Sequence, residues 1–246
     1  IDPKDLQPRK QRQYTRKERW ANWWDYNLKW VIIIGIIVVF FGYNFIGQYF
    51  FTTKPDYNVA VVAPYYLPDD TVTALQEQLA RYGEDLNGDG KVVVQVDSYT
   101  VDFDAANENT DAYYQMAGVT RLSAELSSGG KTYIFLLEDP EGFETQTGAL
   151  QYLDGTVPDD PETTDADWRE MVYRWTDCPV LTGLDLGDYT SDAVQSESGS
   201  SQELMSRYYI GIRGAWNKDS ADLLEGGEEL WNKLTAGAVS TASAEG

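Results

Sequence analysis

The run WVIIIGIIVVFFGYNFIGQYFFTT, residues 30–53, carries no charged side chain over 24 positions. A soluble core seldom holds so long an apolar stretch without a polar break, whereas one helix needs about 20 apolar residues to cross a bilayer. Trp20, Trp23, Trp24 and Trp30 stand at its amino side, and Tyr43, Tyr49 and Phe50 lie toward its far end. Amphipathic rings favour the membrane–water interface, so these belts fit a span. One transmembrane helix over 29–51 is the expectation.

Charge sets its expected orientation. Residues 1–54 hold nine Lys/Arg and four Asp/Glu, net +5, while residues 55–246 hold ten against 36, net −26. Basic flanks stay on the cytoplasmic side of a span, so 1–28 is expected in the cytoplasm and 55–236 outside, as an extracytoplasmic domain. A basic lead followed by an apolar run is also the recipe of a cleaved signal peptide. No small-x-small cleavage site follows here; Tyr43, Asn44, Phe45 and Ile46 occupy that place. The sequence therefore reads as an uncleaved signal-anchor in the cell membrane. So acidic an outer part repels phosphate backbones, and no nucleic-acid partner is expected. With Cys178 the sole cysteine, no intrachain disulfide can form.

After Lys54-Pro55, short β-like runs alternate with helical ones, the mark of an α/β architecture. YNVAVVAPYY (57–66), KVVVQVDSY (91–99), KTYIFLL (131–137) and SRYYIGIRGAW (206–216) read as strands. The first and third are apolar almost throughout, as parallel strands covered on both faces are. Pro68, Asp69 and Asp70 open a helix with Val72, Leu75 and Leu79 on one face. DAYYQMAGVTRLSAELSSGG (111–130) spaces Ala112, Met116, Val119, Leu122 and Leu126 as a second helical face and stops at a Gly pair. The expected fold class is α/β: a mainly parallel sheet from strands near 58–64, 92–99, 132–137 and 207–213, with helices near 71–82 and 111–127 among those covering its two faces.

Residues 144–203 form an acidic insertion with fourteen Asp/Glu against Arg169 and Arg174. Within it, Thr164-Asp165 caps a predicted helix ADWREMVYRWT (166–176) with Trp168, Met171, Val172 and Trp175 at i, i+3, i+4 and i+7. That stripe reads either as core docking onto the sheet or as a face for a protein partner. SESGSSQ (196–202) reads as a flexible connector, SADLLEGGEELWNKL (220–234) as a helix weakened by Gly226-Gly227, and 237–246 as a disordered tail.

EDLNGDGKVVVQV (84–96) begins like a calcium loop: Asp85, Asn87 and Asp89 alternate before Gly90, with the Lys91 carbonyl as a fourth oxygen. An EF-hand closes on a bidentate Glu at the twelfth position, which here is Val96. Structural Ca²⁺ and a plain helix-to-strand turn both fit the pattern. Other chemistry finds less support. With no His in the chain, His-based triads and zinc-protease schemes fall away. SSGGKT (127–132) has Glu125 where a phosphate loop needs its first Gly, and it runs helix to strand, the reverse of that motif. Glu138 and Asp139 form a carboxylate pair, but adjacent acids arise by chance in so acidic a chain.

The order YNVAVVAPYY, LQEQLARYGEDLNGDGKVVVQVDSY, YQMAGVTRLSAELSSGGKTYIFLLEDPEGF and TGALQYLDG, closed by YYIGIRG and a helix, resembles one lobe of an extracytoplasmic solute-binding protein of ABC importers. The resemblance covers residues 57–155 and 204–236, with about 50 residues where that family places a whole second lobe. It implies a binding module at the cell surface, and helix–loop–strand calcium loops occur in that family. Open parallel sheets bind ligands beyond the carboxyl ends of their strands, which nominates Tyr65, Tyr66, Tyr99, Glu138 and Asp139. The expected function is a membrane-anchored binding module for a ligand or partner, with a structural or assembly component as the alternative; no enzymatic activity is expected.

Overall fold

The computed structural model describes residues 15–50 (backbone alone from 42), 54–104, 112–127, 129–158, 167–190, 197–216 and 218–240. The chain divides into two units, Ile1–Thr53 and Lys54–Gly246.

The first unit is helix α1, Arg16–Phe50, which begins well before the predicted residue 29. TRKE explains the start: the Thr15 amide donates to Glu18 Oε2 at 2.9 Å and the Glu18 amide to Thr15 Oγ1 at 3.4 Å, a reciprocal capping box. Its Arg16–Phe41 part is long and apolar enough to cross a membrane, and none of that apolar window is buried. A signal sequence meets the same description.

The second unit runs β1 (Tyr57–Ala63), α2 (Asp69–Ala80), β2 (Val94–Thr100), α3 (Ala112–Leu126), β3 (Ile134–Leu137), α4 (Pro140–Thr147), β4 (Val172–Arg174), α5 (Pro179–Thr182), β5 (Asp188–Tyr189), β6 (Gly199–Ser200), α6 (Ser201–Met205), β7 (Tyr209–Ile212), α7 (Lys218–Leu223) and α8 (Gly227–Leu234). Five strands make one sheet in the order β2-β1-β3-β7-β4. β1 pairs in parallel with β2 and β3 (Val59 opposite Val96, Val61 opposite Leu136), whereas β7 runs antiparallel to both β3 and β4. The sheet is thus mostly parallel, with β7 reversed. β5 and β6 form a separate antiparallel pair.

Both faces are covered, which is why VAVV and IFLL are apolar without alternation. On one face Val59, Val61, Ile134, Leu136, Ile210 and Ile212 meet Leu75 and Leu79 of α2, Leu181 of α5, Met205 of α6, and Leu230 and Trp231 of α8. On the other, Ala60, Val62, Phe135 and Leu137 meet Leu122 of α3 and Phe143 of α4.

Several expectations require correction. The α3 face is rotated: Met116 is 73% and Val119 41% exposed, while Gly118 and Leu122 face the sheet. A Cβ at Gly118 would stand 1.9 Å from the Thr100 carbonyl oxygen, so the glycine admits a backbone approach that the two larger residues could not. Residues 166–176 are not one helix. Trp168–Glu170 and Trp175–Asp177 are single 3-10 turns, and Val172–Arg174 between them is edge strand β4. The β-favouring Val172 and Tyr173 pair with β7, and that ladder outweighs the helical spacing. Met171, Val172 and Trp175 are buried core, so these residues of the stripe dock onto the sheet and are not a face for a protein partner. The predicted cap at Thr164-Asp165 lies outside the described residues.

The expected connector is structured in its described part, 197–202: Gln202 Oε1 accepts from Trp175 Nε1 at 2.9 Å, and its Nε2 donates to the carbonyls of Leu181 and Leu184. The final helix breaks in two. Gly226 adopts φ +91°, and a Cβ on Gly227 would meet the Tyr133 ring at 2.5 Å. In the tail, the Val239 amide donates to Asp177 O at 3.2 Å, and 241–246 lie outside the described residues.

One buried cation ties these parts together. Arg213, at the end of β7, is 8% exposed, and Nη1 donates to Glu125 O and Gly130 O at 3.1 Å each. Nη2 donates to Leu126 O at 2.7 Å and Ser127 O at 3.2 Å. The guanidinium thereby closes the carboxyl end of α3, where helical carbonyls lack partners. Arg213→Met removes the donors and leaves the Glu125, Leu126 and Gly130 carbonyls short of partners at about 1–3 kcal/mol each; after relaxation a loss near 3 kcal/mol is expected, read as a lower urea midpoint. An unchanged midpoint contradicts the assignment.

Candidate functional site

At the carboxyl ends of β1 and β3, the nominated residues do not all converge. The Tyr65 hydroxyl donates to Glu138 Oε1 at 3.1 Å. Beside Tyr65 lies buried Tyr208, whose hydroxyl is close enough for the two side chains to perturb each other. Burial raises the Glu138 carboxyl above its ordinary value, opposed by the Tyr65 hydrogen bond and the positive charge of Arg207. Asp139 accepts from the Gly142 amide at 2.9 Å and so caps α4. Asp-Pro at that start and Gly148 at φ +54° past its end are the sequence signals for this short helix. Tyr99 is buried beneath α3 with the Arg121 guanidinium 5.2 Å from its ring centroid, and burial pushes its hydroxyl up to about 12. Tyr66 is exposed.

The 84–96 stretch is a tightly bonded loop. Asp85 Oδ1 accepts from the amides of Gly88 and Asp89 at 2.7 and 3.2 Å, and Oδ2 from Gly90 at 2.8 Å. Asn87 Oδ1 accepts from Asp89, and Asp89 Oδ1 from Lys91, at 2.9 Å each. Asp56, just before β1, accepts from the amides of Leu86, Asn87 and Val93. Gly88 and Gly90 take φ of +73° and +84°, which explains glycine at both. Every nominated side-chain ligand thus serves the turn. Among the described residues no three Asp, Glu, Cys or His side chains gather as a metal-binding group.

A hollow region lies at the opposite, amino-terminal edge of the sheet, where β1 and β3 begin and α7 and α8 pack. Two cavities of about 290 and 580 Å³ share Tyr133, Asp222, Leu224 and Glu225 as walls. Leu86 and Asn87 of the bonded loop line the smaller one, with Lys131 its sole Lys or Arg among the described residues. The larger has a floor of Leu153, Ile212 and the rings of Tyr133 and Trp231, and its charged lining is Asp154, Asp222, Glu225 and Glu228 with no Lys or Arg. Trp231 is held by stacking on Tyr173, ring centroids 5.8 Å apart. Burial, then the negative charge of Glu228, pushes the Tyr133 hydroxyl up to about 12. The Gly226-Gly227 break lets α8 approach Tyr133, as the glycine contacts show. Sequence reasoning missed this groove; its signal was the glycine pair, treated as a weakness in a helix.

No known family, curated protein or solved structure matches the chain.

Because the Glu138 carboxyl is raised, the stability it contributes is present below its unfolded value, near 4.5, and is lost as pH climbs through its folded value. Glu138→Gln keeps an acceptor for Tyr65 and removes the half-buried charge. The variant is expected to melt at or above the parent temperature at neutral pH and to lose less stability between about pH 4 and 7. A steeper loss over that interval contradicts this account.

Proposed function

We propose that the chain is a membrane-anchored, extracytoplasmic binding module, with α1 as an uncleaved span, the N-terminus in the cytoplasm and the acidic unit outside. The observation that carries the binding role is the groove at the amino edge of the sheet, whose larger cavity of about 580 Å³ lies within the roughly 300–1,000 Å³ of small-molecule sites. The pattern resemblance to one lobe of a solute-binding protein supports the same reading, and the basic flank of α1 supports the orientation. Protease added to intact cells is expected to remove the acidic unit and spare an N-terminal tag. Native mass spectrometry of the gently purified full chain is expected to show a bound small molecule that Ala221→Trp, filling the groove, displaces. The reverse protection pattern counts against the topology; a bare chain whose spectrum Ala221→Trp leaves unchanged counts against the binding role.

A second reading, an assembly component of a membrane complex, is favoured by the outer face of α3, where Tyr113, Met116 and Val119 are exposed in a stretch without charge. Cross-links from Met116 to other membrane proteins, with no small molecule bound, would favour it.

Structural Ca²⁺ on Asp85, Asn87, Asp89 and the Lys91 carbonyl is a further part of the proposal, since carboxylate oxygens that accept amide bonds retain a second lone pair. Millimolar Ca²⁺ at matched ionic strength is then expected to raise the melting temperature, an increment that Asp89→Ala removes. Asp85→Ala is expected to destabilise the loop in chelator as well, because it leaves the Gly88 and Gly90 amides unpaired. A melting temperature indifferent to Ca²⁺ leaves the residues serving the turn alone.

A further inference from the structure

The chemistry of the groove's walls specifies more than a vacancy of suitable size. Its floor is apolar and aromatic, from Leu153, Ile212, Leu224, Tyr133 and Trp231. The rim of the larger cavity is anionic, from Asp154, Asp222, Glu225 and Glu228, with no Lys or Arg among the described residues that line it; Lys131 lines the smaller cavity. Tyr133 adds a ring face and a hydroxyl. An anionic ligand would meet four like charges there, and a neutral apolar one would leave them without a counter-ion. A compact hard cation takes oxygen ligands alone, whereas much of this lining is apolar and aromatic. Ring faces together with carboxylates stabilise an ammonium group by cation–π attraction and by charge pairing at once.

We infer that this groove binds an organic cation: a molecule with an apolar or aromatic body seated on Tyr133 and Trp231 and an ammonium group directed to the acidic rim. The inference rests on the groove being the ligand site of the binding module. The smaller cavity beside it, walled partly by Leu86 and Asn87, extends the room for a longer body.

The test uses the full chain in detergent, titrated calorimetrically at moderate salt with three probes: 2-phenylethylammonium, its neutral analogue 2-phenylethanol, and methylammonium, which has the charge without the body. The first is expected to bind at least about tenfold more tightly than either of the others, a ratio equal to about 1.4 kcal/mol. Asp222→Asn, Glu225→Gln and Glu228→Gln combined are expected to remove that preference, and Ala221→Trp to block binding with every charge retained. Neutralising Asp185, Asp188 and Glu203, which do not line the groove, is expected to change affinity less than twofold and so excludes general attraction to an acidic body. Binding of 2-phenylethanol as tight as the ammonium, blocked by Ala221→Trp, overturns the cation assignment while leaving a binding groove. No binding of the ammonium at about 10 mM, or equal losses from the rim and control variants, overturns the inference outright.

Discussion

The guanidinium of Arg213 is the interaction on which the arrangement of the Lys54–Gly246 unit depends. A buried charge is costly unless hydrogen bonds compensate it, and here the carbonyls of Glu125, Leu126, Ser127 and Gly130 do so. Glu125 and Leu126 belong to the last turn of α3, where carbonyls lack helical partners, so one side chain resolves two problems. The geometry works because β7 runs against its neighbours: its last residues then lie at the edge where β3 starts, and the Arg213 amide donates to Tyr133 O at 2.9 Å. A fifth strand running the same way as the others would carry Arg213 to the opposite edge.

From that anchor the groove follows. The loop from α3 to β3 wraps the guanidinium and sets down Tyr133, and Gly227 lets α8 close against its ring. Asp56 fixes the neighbouring loop by accepting three amides, which holds Leu86 and Asn87 in place as a wall. The floor is therefore backbone-determined, whereas the rim acids sit on exposed positions where charge costs little. Such a division suits recognition: shape comes from rigid elements and charge from the rim.

Much of this unit was legible in the sequence because burial on both faces imposes continuous apolar runs, and 57–63 and 134–137 show them. What was not legible was set by backbone proximity. Gly118 gives no hydrophobic signal, yet its lack of a side chain turns α3 and exposes Met116. Val172 fitted a helical stripe, and only the open edge of β7 decides that it and Tyr173 pair as strand. The nominated carboxyl-edge residues came from a general rule about parallel sheets; Tyr65 and Glu138 do meet there, while Asp139 is occupied as a cap and Tyr99 lies under α3. The groove escaped notice because its walls, near 55–58, 86–87, 131–134, 151–155 and 221–232, are far apart in the chain.

Hydrogen–deuterium exchange of the full chain in detergent, parent against Arg213→Met, tests the dependence of the groove on this one side chain. The account predicts that protection falls together in 127–133 and in α8, with β1 and β2 retaining theirs. A loss confined to the last turn of α3, with α8 as protected as in the parent, would show that the groove stands without Arg213 and would contradict the account.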